Sequence, residues 1–297
     1  MAKHSTTVKL THSNAKREAI SAYLFLAPAL LFFVGFVLVP MGLCLYTSFF
    51  TYKLNVFEFT GLTNYIRMFQ DEVFLKALWN TVAIVIIAVP SVTIFSLWVA
   101  SIINPMHSIP RSVYRCIFYL PVVTGSVAVT VVWKWMFNSY TGLLNSVLGT
   151  TGFNWLGNSQ TALACIILIL FTTSVGQPIV LYVAAIGNVD QGLIEASQVD
   201  GATWWQVFIH IKWPQMMPTT LYILIITTIN SFQCFALIQL LTSGGPNHST
   251  DTIMYYIYYQ AYKLGDFGYG NAMGVVLAAI IALFSALQFK AAKTDNG

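Results

Sequence analysis

Charged side chains are scarce in this sequence: Asp, Glu, Lys and Arg make up 8% of its 297 residues, whereas hydrophobic residues make up 57%. Soluble domains usually carry about 25% charge, so an ordinary soluble domain is excluded. The mean hydropathy of +0.71 instead indicates an all-α integral membrane protein surrounded by lipid. The net charge of +4 is dispersed along the chain, which argues against a nucleic-acid partner.

The motifs of common catalytic and metal sites are also missing. The sequence has no Gly-x-x-x-x-Gly-Lys-Ser/Thr phosphate loop, no His-Glu-x-x-His and no Gly-x-Ser-x-Gly, so we do not expect an enzyme or an ATP site in this chain. The histidines lie in separate segments and the four cysteines form no Cys-x-x-Cys pair, which predicts no metal site, no cofactor and no disulfide framework. Ionisable residues are almost absent from the apolar segments, which counts against proton-coupled carriers and intramembrane proteases.

Six apolar segments are long enough to cross a bilayer. We expect transmembrane helices at about residues 22–48, 80–103, 113–136, 162–186, 217–241 and 270–290. Pro40, Pro121 and Gly176-Gln177-Pro178 should kink or interrupt the first, third and fourth of them, and Pro28 should lie near the first turn of the first. Residues 53–79 mix charges with aromatics and predict a segment outside the membrane that contains a short amphipathic helix.

The expected organisation is a cytoplasmic tail (1–21), a transmembrane domain (22–290) with a cytoplasmic loop at about 188–214, and a second cytoplasmic tail (291–297). Six spans and an N-terminus inside place nine Lys and Arg residues in the cytoplasm: 3, 9, 16, 17, 111, 115, 212, 290 and 293. Five lie outside: 53, 67, 76, 134 and 263. This excess satisfies the positive-inside rule and predicts a multi-pass protein with both termini in the cytoplasm.

The loop between the fourth and fifth spans contains the stretch Glu195–Pro214, which reads EASQVDGATWWQVFIHIKWP. Asp190 can cap the short helix that carries Glu195 on its polar side. Gly201 permits the positive-φ turn that ends such a helix, and Asp200 is expected to cap a second, amphipathic helix. The stretch therefore predicts a helical elbow at the membrane face.

The spacing in this stretch resembles the EAA loop of the membrane subunits of binding-protein-dependent ABC importers: Glu-Ala-Ala, three residues, Gly, nine residues, then Ile-x-Leu-Pro. Ser197 and Trp213 depart from that pattern. The resemblance implies a type I ABC importer permease fold and a loop that docks into a groove on a partner ATPase, which binds the ATP. The residues implied in this coupling are Glu195, Ala196, Asp200, Gly201, Ala202, Ile211 and Pro214. The alternative is a helix that lies on the lipid surface.

Uncharged hydrogen-bonding side chains stand in the apolar segments in place of ionisable ones. Asn230 and Gln233 are three residues apart on the fifth span and should share a face, and Gln177 interrupts the fourth. Neutral amides near aromatic rings suit an uncharged, polyhydroxylated solute, so these three are candidates for the substrate path. Tyr182 and Gln239 are weaker candidates, because packing explains them better. Packing is the alternative for the amides too, since Asn and Gln also cross-link membrane helices.

Lys134 stands between two tryptophans, Trp133 and Trp135. This arrangement suits an interfacial anchor whose amine reaches out of the membrane. A role in the translocation path is the alternative.

A second motif narrows the family. The stretch Phe235–Pro246, FALIQLLTSGGP, followed by Thr250 and Asp251, resembles the larger membrane subunit of the maltose importer and related carbohydrate permeases. This resemblance implies an oligosaccharide substrate that contacts the region of Asn230 and Gln233. It also implies a bacterial cell membrane, a heterodimer with a second homologous permease, two ATPase subunits and an extracytoplasmic solute-binding protein.

Two other functions remain open. A permease of the same class could carry glycerol-phosphate or another small solute, although an anionic substrate should require Arg or Lys in the path and the sequence offers none at depth. An intramembrane enzyme or an ATP-independent secondary carrier would require ionisable groups within the spans.

Overall fold

The structure, a computed structural model, describes residues 12–53 and 56–294. Within these ranges the chain forms helices and one two-stranded hairpin. Four helices are long and apolar enough to cross a membrane, and the number rises to six when each of two bent helix pairs counts as one span. The six expected spans thus correspond to four long helices and two bent pairs.

The first span consists of α1 (His12–Phe33), a π-helical turn (Val34–Leu38) and α2 (Val39–Thr47). The π turn directly precedes Pro40, whose ring and missing N–H disturb the hydrogen bonds of the turn before it. The expectation that Pro28 lies near the first turn was wrong, because the helix already begins at His12 and Pro28 lies in its interior.

A hairpin and a short helix connect the first two spans. Strand β1 (Phe50–Lys53) pairs antiparallel with β2 (Val56–Phe59), and α3 (Thr63–Gln70) follows. The helix is the expected amphipathic one, with Met68 buried and the polar Arg67 and Gln70 exposed. The hairpin was not expected, since its strands have only four residues each.

The second span, α4 (Glu72–Ile103), begins earlier than the expected residue 80. The Asp71 carboxylate accepts hydrogen bonds from the backbone N–H groups of Val73 (3.0 Å) and Phe74 (3.2 Å). It therefore acts as an N-cap and extends the helix by two turns beyond the apolar run.

The third span is a sharply bent pair, α5 (Ser108–Val123) and α6 (Ser126–Met136), whose axes differ by 96°. The break follows Pro121, as expected, but the bend is larger than a kink. The short helix α7 (Leu143–Leu148) lies beyond it.

The fourth span is bent by 41° between α8 (Ala162–Ser174) and α9 (Gly176–Gly187). The break coincides with the expected Gly176-Gln177-Pro178 interruption. A Cβ at Gly176 would overlap the Phe118 carbonyl oxygen and lie 2.8 Å from a Val122 methyl group. Glycine is therefore needed here for α5 to pack against α9.

The remainder of the chain contains the loop, the last two spans and the connection between those spans. Its helices are α10 (Gln191–Val199), α11 (Trp204–Val207), a π turn (Phe208–Lys212), α12 (Trp213–Phe232), α13 (Ala236–Leu241), α14 (Ile253–Tyr258), a π turn (Tyr259–Lys263) and α15 (Phe267–Thr294). The fifth span was expected as one helix over 217–241, but residues 233–235 divide it into α12 and α13.

Helix α4 lies at the centre of the molecule, against α8, α9 and α12. Three apolar clusters form the core. One joins α4, α9 and α12 through Ile179, Tyr182 and Ile223. The second joins α4, α8 and α13 through Ile84, Ile166 and Ile238. The third joins α4, α12, α14 and α15 through Phe74, Phe232, Ile253, Tyr269 and Met273.

Candidate coupling loop and translocation path

Helix α10 presents Glu195 to solvent. The Asp190 carboxylate caps the helix by accepting a hydrogen bond from the Gly192 N–H at 2.8 Å, as predicted. Ile194 faces inward and is buried, whereas Glu195 and Ala196 are exposed. The two motif residues on this helix are therefore available to a partner.

A left-handed turn ends α10 at Gly201, whose φ is +80°. The Gly201 N–H donates to the Gln198 carbonyl (3.1 Å), and the Ala202 N–H donates to the Ser197 carbonyl (2.9 Å). These bonds satisfy carbonyl groups at the helix end, so the predicted positive-φ turn at Gly201 is confirmed. Nothing lies within 4 Å of the position that a Cβ on Gly201 would take. The cost of substitution there is backbone strain and not a clash.

The second loop helix is capped by Thr203 and not, as expected, by Asp200. The Thr203 hydroxyl accepts from the Gln206 N–H (3.4 Å), and the Gln206 side-chain oxygen accepts from the Thr203 N–H (2.7 Å). This reciprocal pair is a capping box. Asp200 is exposed and belongs to the turn itself. The Thr-x-x-Gln spacing in the sequence was the signal that could have identified the cap.

The two loop helices hold each other through a small apolar cluster. Val189, Ile194 and Val207 are buried in it, and Ala202 and Ile211 pack against them. Because Ile211 also belongs to the helical π turn that leads into α12, a force on the loop can be transmitted to the fifth span. Pro214, the second residue of α12, is exposed.

The solvent face of the loop is concave and flanked by large apolar side chains. A cavity of about 340 Å³ lies between the α10 end and the second helix, lined by Ser197, Asp200, Gly201, Ala202, Gln206, Val207, His210 and Ile211. Beside it Val199 is 88% exposed and Trp204 59%. Exposed apolar groups around a shaped polar surface are typical of a protein-docking site.

The coupling loop and the α4–α5 connection lie on the same side of the molecule. The Asn104 side-chain oxygen is 3.9 Å from the position of a Cβ on Gly187, at the end of α9. Helix α5 therefore begins near the loop, whereas α6 packs against α13, at the end of the fifth span that is farther from the loop.

An inner cavity of about 490 Å³ lies between α5 and α9. Its lining residues are Ser112, Arg115, Cys116, Tyr119, Gln177, Val180 and Leu181. Arg115 is half-buried and its guanidinium donates to the Ser112 hydroxyl at 3.4 Å. Helix α5 thus brings a cation, Arg115, to the same cavity as Gln177, one of the residues predicted for the path.

A middle cavity of about 360 Å³ lies at the two helix breaks. Gln233 and Cys234 line it from the break between α12 and α13, and Thr124 and Ser126 line it from the break between α5 and α6. Gln233 follows the last residue of α12. Asn230 is exposed on α12 and lies outside this lining. The two amides therefore do not face one cavity together.

Tyr182 and Gln239 lie among packed helices. Tyr182 is fully buried in the cluster between α4, α9 and α12, and its hydroxyl has no hydrogen-bond partner of normal geometry among the described residues. Gln239 is half-buried in α13. Neither residue lines the inner or the middle cavity.

A third, outer cavity of about 480 Å³ continues the series beyond α6. The inner, middle and outer cavities are lined in turn by residues 112–119, 121–129 and 134–139 of the α5–α6 segment. The three cavities thus follow one another along the sequence of this bent pair, beginning on the side of the coupling loop.

A polar network fixes the opposite end of the molecule. Asp71 accepts hydrogen bonds from the hydroxyls of Tyr256 (2.7 Å) and Tyr269 (2.8 Å). Arg67 pairs with Asp266 at 2.8 Å and lies over the Tyr269 ring. Burial alone raises the pKa of Asp71, but the hydrogen bonds from the tyrosines and from two backbone amides outweigh it, so this pKa lies below its ordinary value of 3.8.

The family of the chain follows from a match over most of its length. Residues 69–290 match the model of the binding-protein-dependent transport system inner membrane component. The chain belongs to this family. It is a multi-pass membrane permease subunit of an ABC importer, and the expected fold class and family are confirmed.

Curated relatives are similar over nearly the whole chain. NgcF, a diacetylchitobiose uptake permease of Streptomyces coelicolor, is 35% identical, with 92% of this chain and 82% of the relative covered. LacF, a lactose transport permease of Rhizobium radiobacter, is 31% identical, with 92% and 94% covered. AraP, an arabinooligosaccharide transport permease of Bacillus subtilis, is 30% identical, with 93% and 89% covered.

Solved structures show the same fold at lower identity. A chain of a bacterial ABC transporter for alginate has a TM-score of 0.79 and 24% identity, and the match covers 95% of this permease and 98% of that chain. A chain of the alginate transporter in complex with a periplasmic protein has a TM-score of 0.78, and the match covers 93% of this permease and 94% of that chain.

Proposed function

We propose that this permease forms half of the translocation path of an ATP-driven oligosaccharide importer. The observation that carries the proposal is the series of cavities along α5 and α6, which broken helices line with amide and hydroxyl side chains and in which no Asp, Glu or His, the usual proton carriers, is among the lining residues. Helix breaks within the membrane are tolerated where they line a polar cavity. Relatives named for disaccharides and oligosaccharides support a carbohydrate cargo.

The loop from Glu195 to Pro214 couples this path to a separate ATPase. Its exposed Glu195 and the exposed apolar side chains of Val199 and Trp204 suit contact with a partner protein, and its apolar cluster links the loop to the fifth span. When the ATPases close on ATP, they move the loop, and the spans shift from inward- to outward-facing. The residues that act here are contact and geometry residues, because the chain itself carries no phosphate-binding motif.

The full importer contains further subunits. A second, homologous permease forms the other half of the path, two ATPase subunits lie on the loop side, and an extracytoplasmic solute-binding protein delivers the sugar. This arrangement places the coupling loop and both termini in the cytoplasm, in agreement with the distribution of Lys and Arg.

The cargo can be identified by uptake into cells that carry or lack this chain. The panel contains radiolabelled lactose, N,N′-diacetylchitobiose and an arabino-oligosaccharide. We expect the deletion to abolish uptake of at least one of them and complementation to restore it. Equal uptake of all three sugars in both strains would refute the carbohydrate assignment.

Arg115 favours a second candidate cargo, an anionic solute such as glycerol 3-phosphate, because a guanidinium in the inner cavity can bind phosphate. Adding labelled glycerol 3-phosphate to the panel separates the two. If the chain is a sugar permease, uptake of glycerol 3-phosphate is unchanged in the deletion strain. If it is a glycerol-phosphate permease, that uptake is lost.

A further inference from the structure

The outer cavity combines one cation with two amides from separate segments. Lys134 comes from the last turn of α6, Asn138 from the residues after it, and Asn154 from the loop that precedes α8. Thr242 and Pro246 close the cavity from the loop after α13. No Asp or Glu is among its lining residues.

Both amide groups are oriented by bonds to their oxygen atoms. The Asn138 side-chain oxygen accepts from the N–H groups of Tyr140 and Thr141, each at 3.0 Å. The Asn154 side-chain oxygen accepts from the Gly157 N–H at 2.9 Å. A Cβ on Gly157 would occupy the place of the Asn154 amide nitrogen. Glycine at 157 therefore leaves the room that this amide needs.

The amide nitrogens and the Lys134 amine remain as donors. Among the described residues none of these three nitrogens donates a hydrogen bond. Lys134, Asn138 and Asn154 are exposed, so water can accept their hydrogen bonds, and a ligand that is rich in oxygen acceptors can take the place of that water in the cavity they share. The volume of about 480 Å³ also lies in the range of about 300–1,000 Å³ typical of small-molecule sites.

The short helices α6 and α13 connect this cavity to the middle one. Helix α6 reaches from Ser126 in the middle cavity to Lys134 in the outer one, and the α13 segment from Leu237 to Leu241. At 1.5 Å per residue, eight residues of α6 separate the two cavities by about 12 Å.

From this geometry we infer that the outer cavity is a saccharide-binding site, the first station of the path on the side away from the coupling loop. Lys134, Asn138 and Asn154 donate hydrogen bonds to hydroxyl, ring or acetamido oxygens, and Leu156 and Pro246 contact the apolar face of the sugar. The inference rests on the proposed carbohydrate function and adds a binding site with named donors to it.

The test uses the complete importer with Lys134→Met and Asn154→Leu, each of which removes one donor group. Lys263→Met is the matched control, because Lys263 is exposed and outside the cavity lining. The first measurement is the half-saturation concentration for uptake of the panel sugar that the unaltered importer carries. We expect it to rise about 10-fold in both cavity variants, the effect of losing one hydrogen bond to a good donor, with the maximal rate and the control unchanged.

The second measurement is independent of transport. Saturation-transfer NMR with lactose and N,N′-diacetylchitobiose is recorded on the importer in nanodiscs, and we expect the sugar signal to fall by at least half in the cavity variants only. Normal uptake with equal half-saturation and NMR signal in all variants would overturn the outer site and leave the carbohydrate function intact. If the unaltered importer takes up none of the panel sugars, the carbohydrate function is refuted. If the unaltered importer also gives no NMR signal with either sugar, the outer site is overturned as well.

Discussion

At the scale of single residues, Gly201 and Gly61 provide a matched pair. Both have positive φ, +80° and +60°, and in both cases nothing lies within 4 Å of the position that a Cβ would take. A substitution at either position costs about 1–3 kcal/mol of backbone strain. The two differ in location, since Gly201 lies in the coupling loop and Gly61 lies between the hairpin and α3.

Gly201→Asp is expected to reduce ATP-driven uptake at least 10-fold, while the protein still inserts into the membrane and assembles with the second permease. The strained turn and the added charge both alter the surface that meets the ATPase. Uptake and co-purification of the ATPase are measured side by side. Gly61→Asp carries the same strain and should retain both, so an equal loss in the two variants would mean that strain alone is responsible.

Asp71→Asn tests the polar network at the other end. The ionised carboxylate binds Tyr256 and Tyr269, and its pKa is lowered, so the stabilisation is present above the ordinary pKa of 3.8 and is lost as the pH falls through the folded-state pKa. We expect the variant to be less stable by about 1 kcal/mol at pH 7, because a neutral acceptor replaces a charged one. In thermal unfolding, the difference in stability between the unaltered protein and the variant should disappear below about pH 4. A difference that persists there would contradict the role of the charge.

At the scale of the elements, the sequence was informative wherever a local rule applies. Asp190 before α10 and Gly201 after it predicted both ends of that helix, because caps act within one turn. Pro121 and Gly176 predicted the breaks in the third and fourth spans. The break after Phe232 could not be predicted, since Gln233, Cys234 and Phe235 carry no breaker signal and packing against neighbouring helices determines where α12 ends.

The packing of α5 on α9 depends on Gly176. Gly176→Ala is expected to destabilise the protein by about 1–3 kcal/mol, because the new methyl group would overlap the Phe118 carbonyl. Gly187→Ala in the same helix meets no atom closer than 3.9 Å and should be neutral or stabilising. The unfolding temperatures of the two variants are compared in detergent. Equal midpoints would show that α5 and α9 can move apart at Gly176 without loss of stability.

The break in the fifth span separates two amides that the sequence grouped together. Gln233 lines the middle cavity and Asn230 does not. We expect Gln233→Leu to raise the half-saturation concentration for sugar uptake about 2- to 10-fold, the effect of one hydrogen bond, and Asn230→Leu to have less effect. The reverse order would place the sugar path on the other side of α12.

At the scale of the whole molecule, the six spans and their family were predictable from the length of the apolar runs and the Glu195–Pro214 spacing. The three cavities were not, because they are lined by residues from segments far apart in sequence that only the folded chain brings together. Residues 20–43 of the first span are exposed along their whole length in the described chain. Such a helix requires lipid or another subunit around it, as in a permease that functions only within an assembly.

The most direct test of the central claim is sugar uptake into proteoliposomes that contain the complete importer and its binding protein. ATP is supplied or withheld on the side of the coupling loop, and the unaltered chain is compared with Gly201→Asp and Gly61→Asp. We predict uptake that requires ATP, is lost with Gly201→Asp and is retained with Gly61→Asp. Uptake at the same rate without ATP, or undiminished with Gly201→Asp, would contradict the account and indicate an ATP-independent carrier.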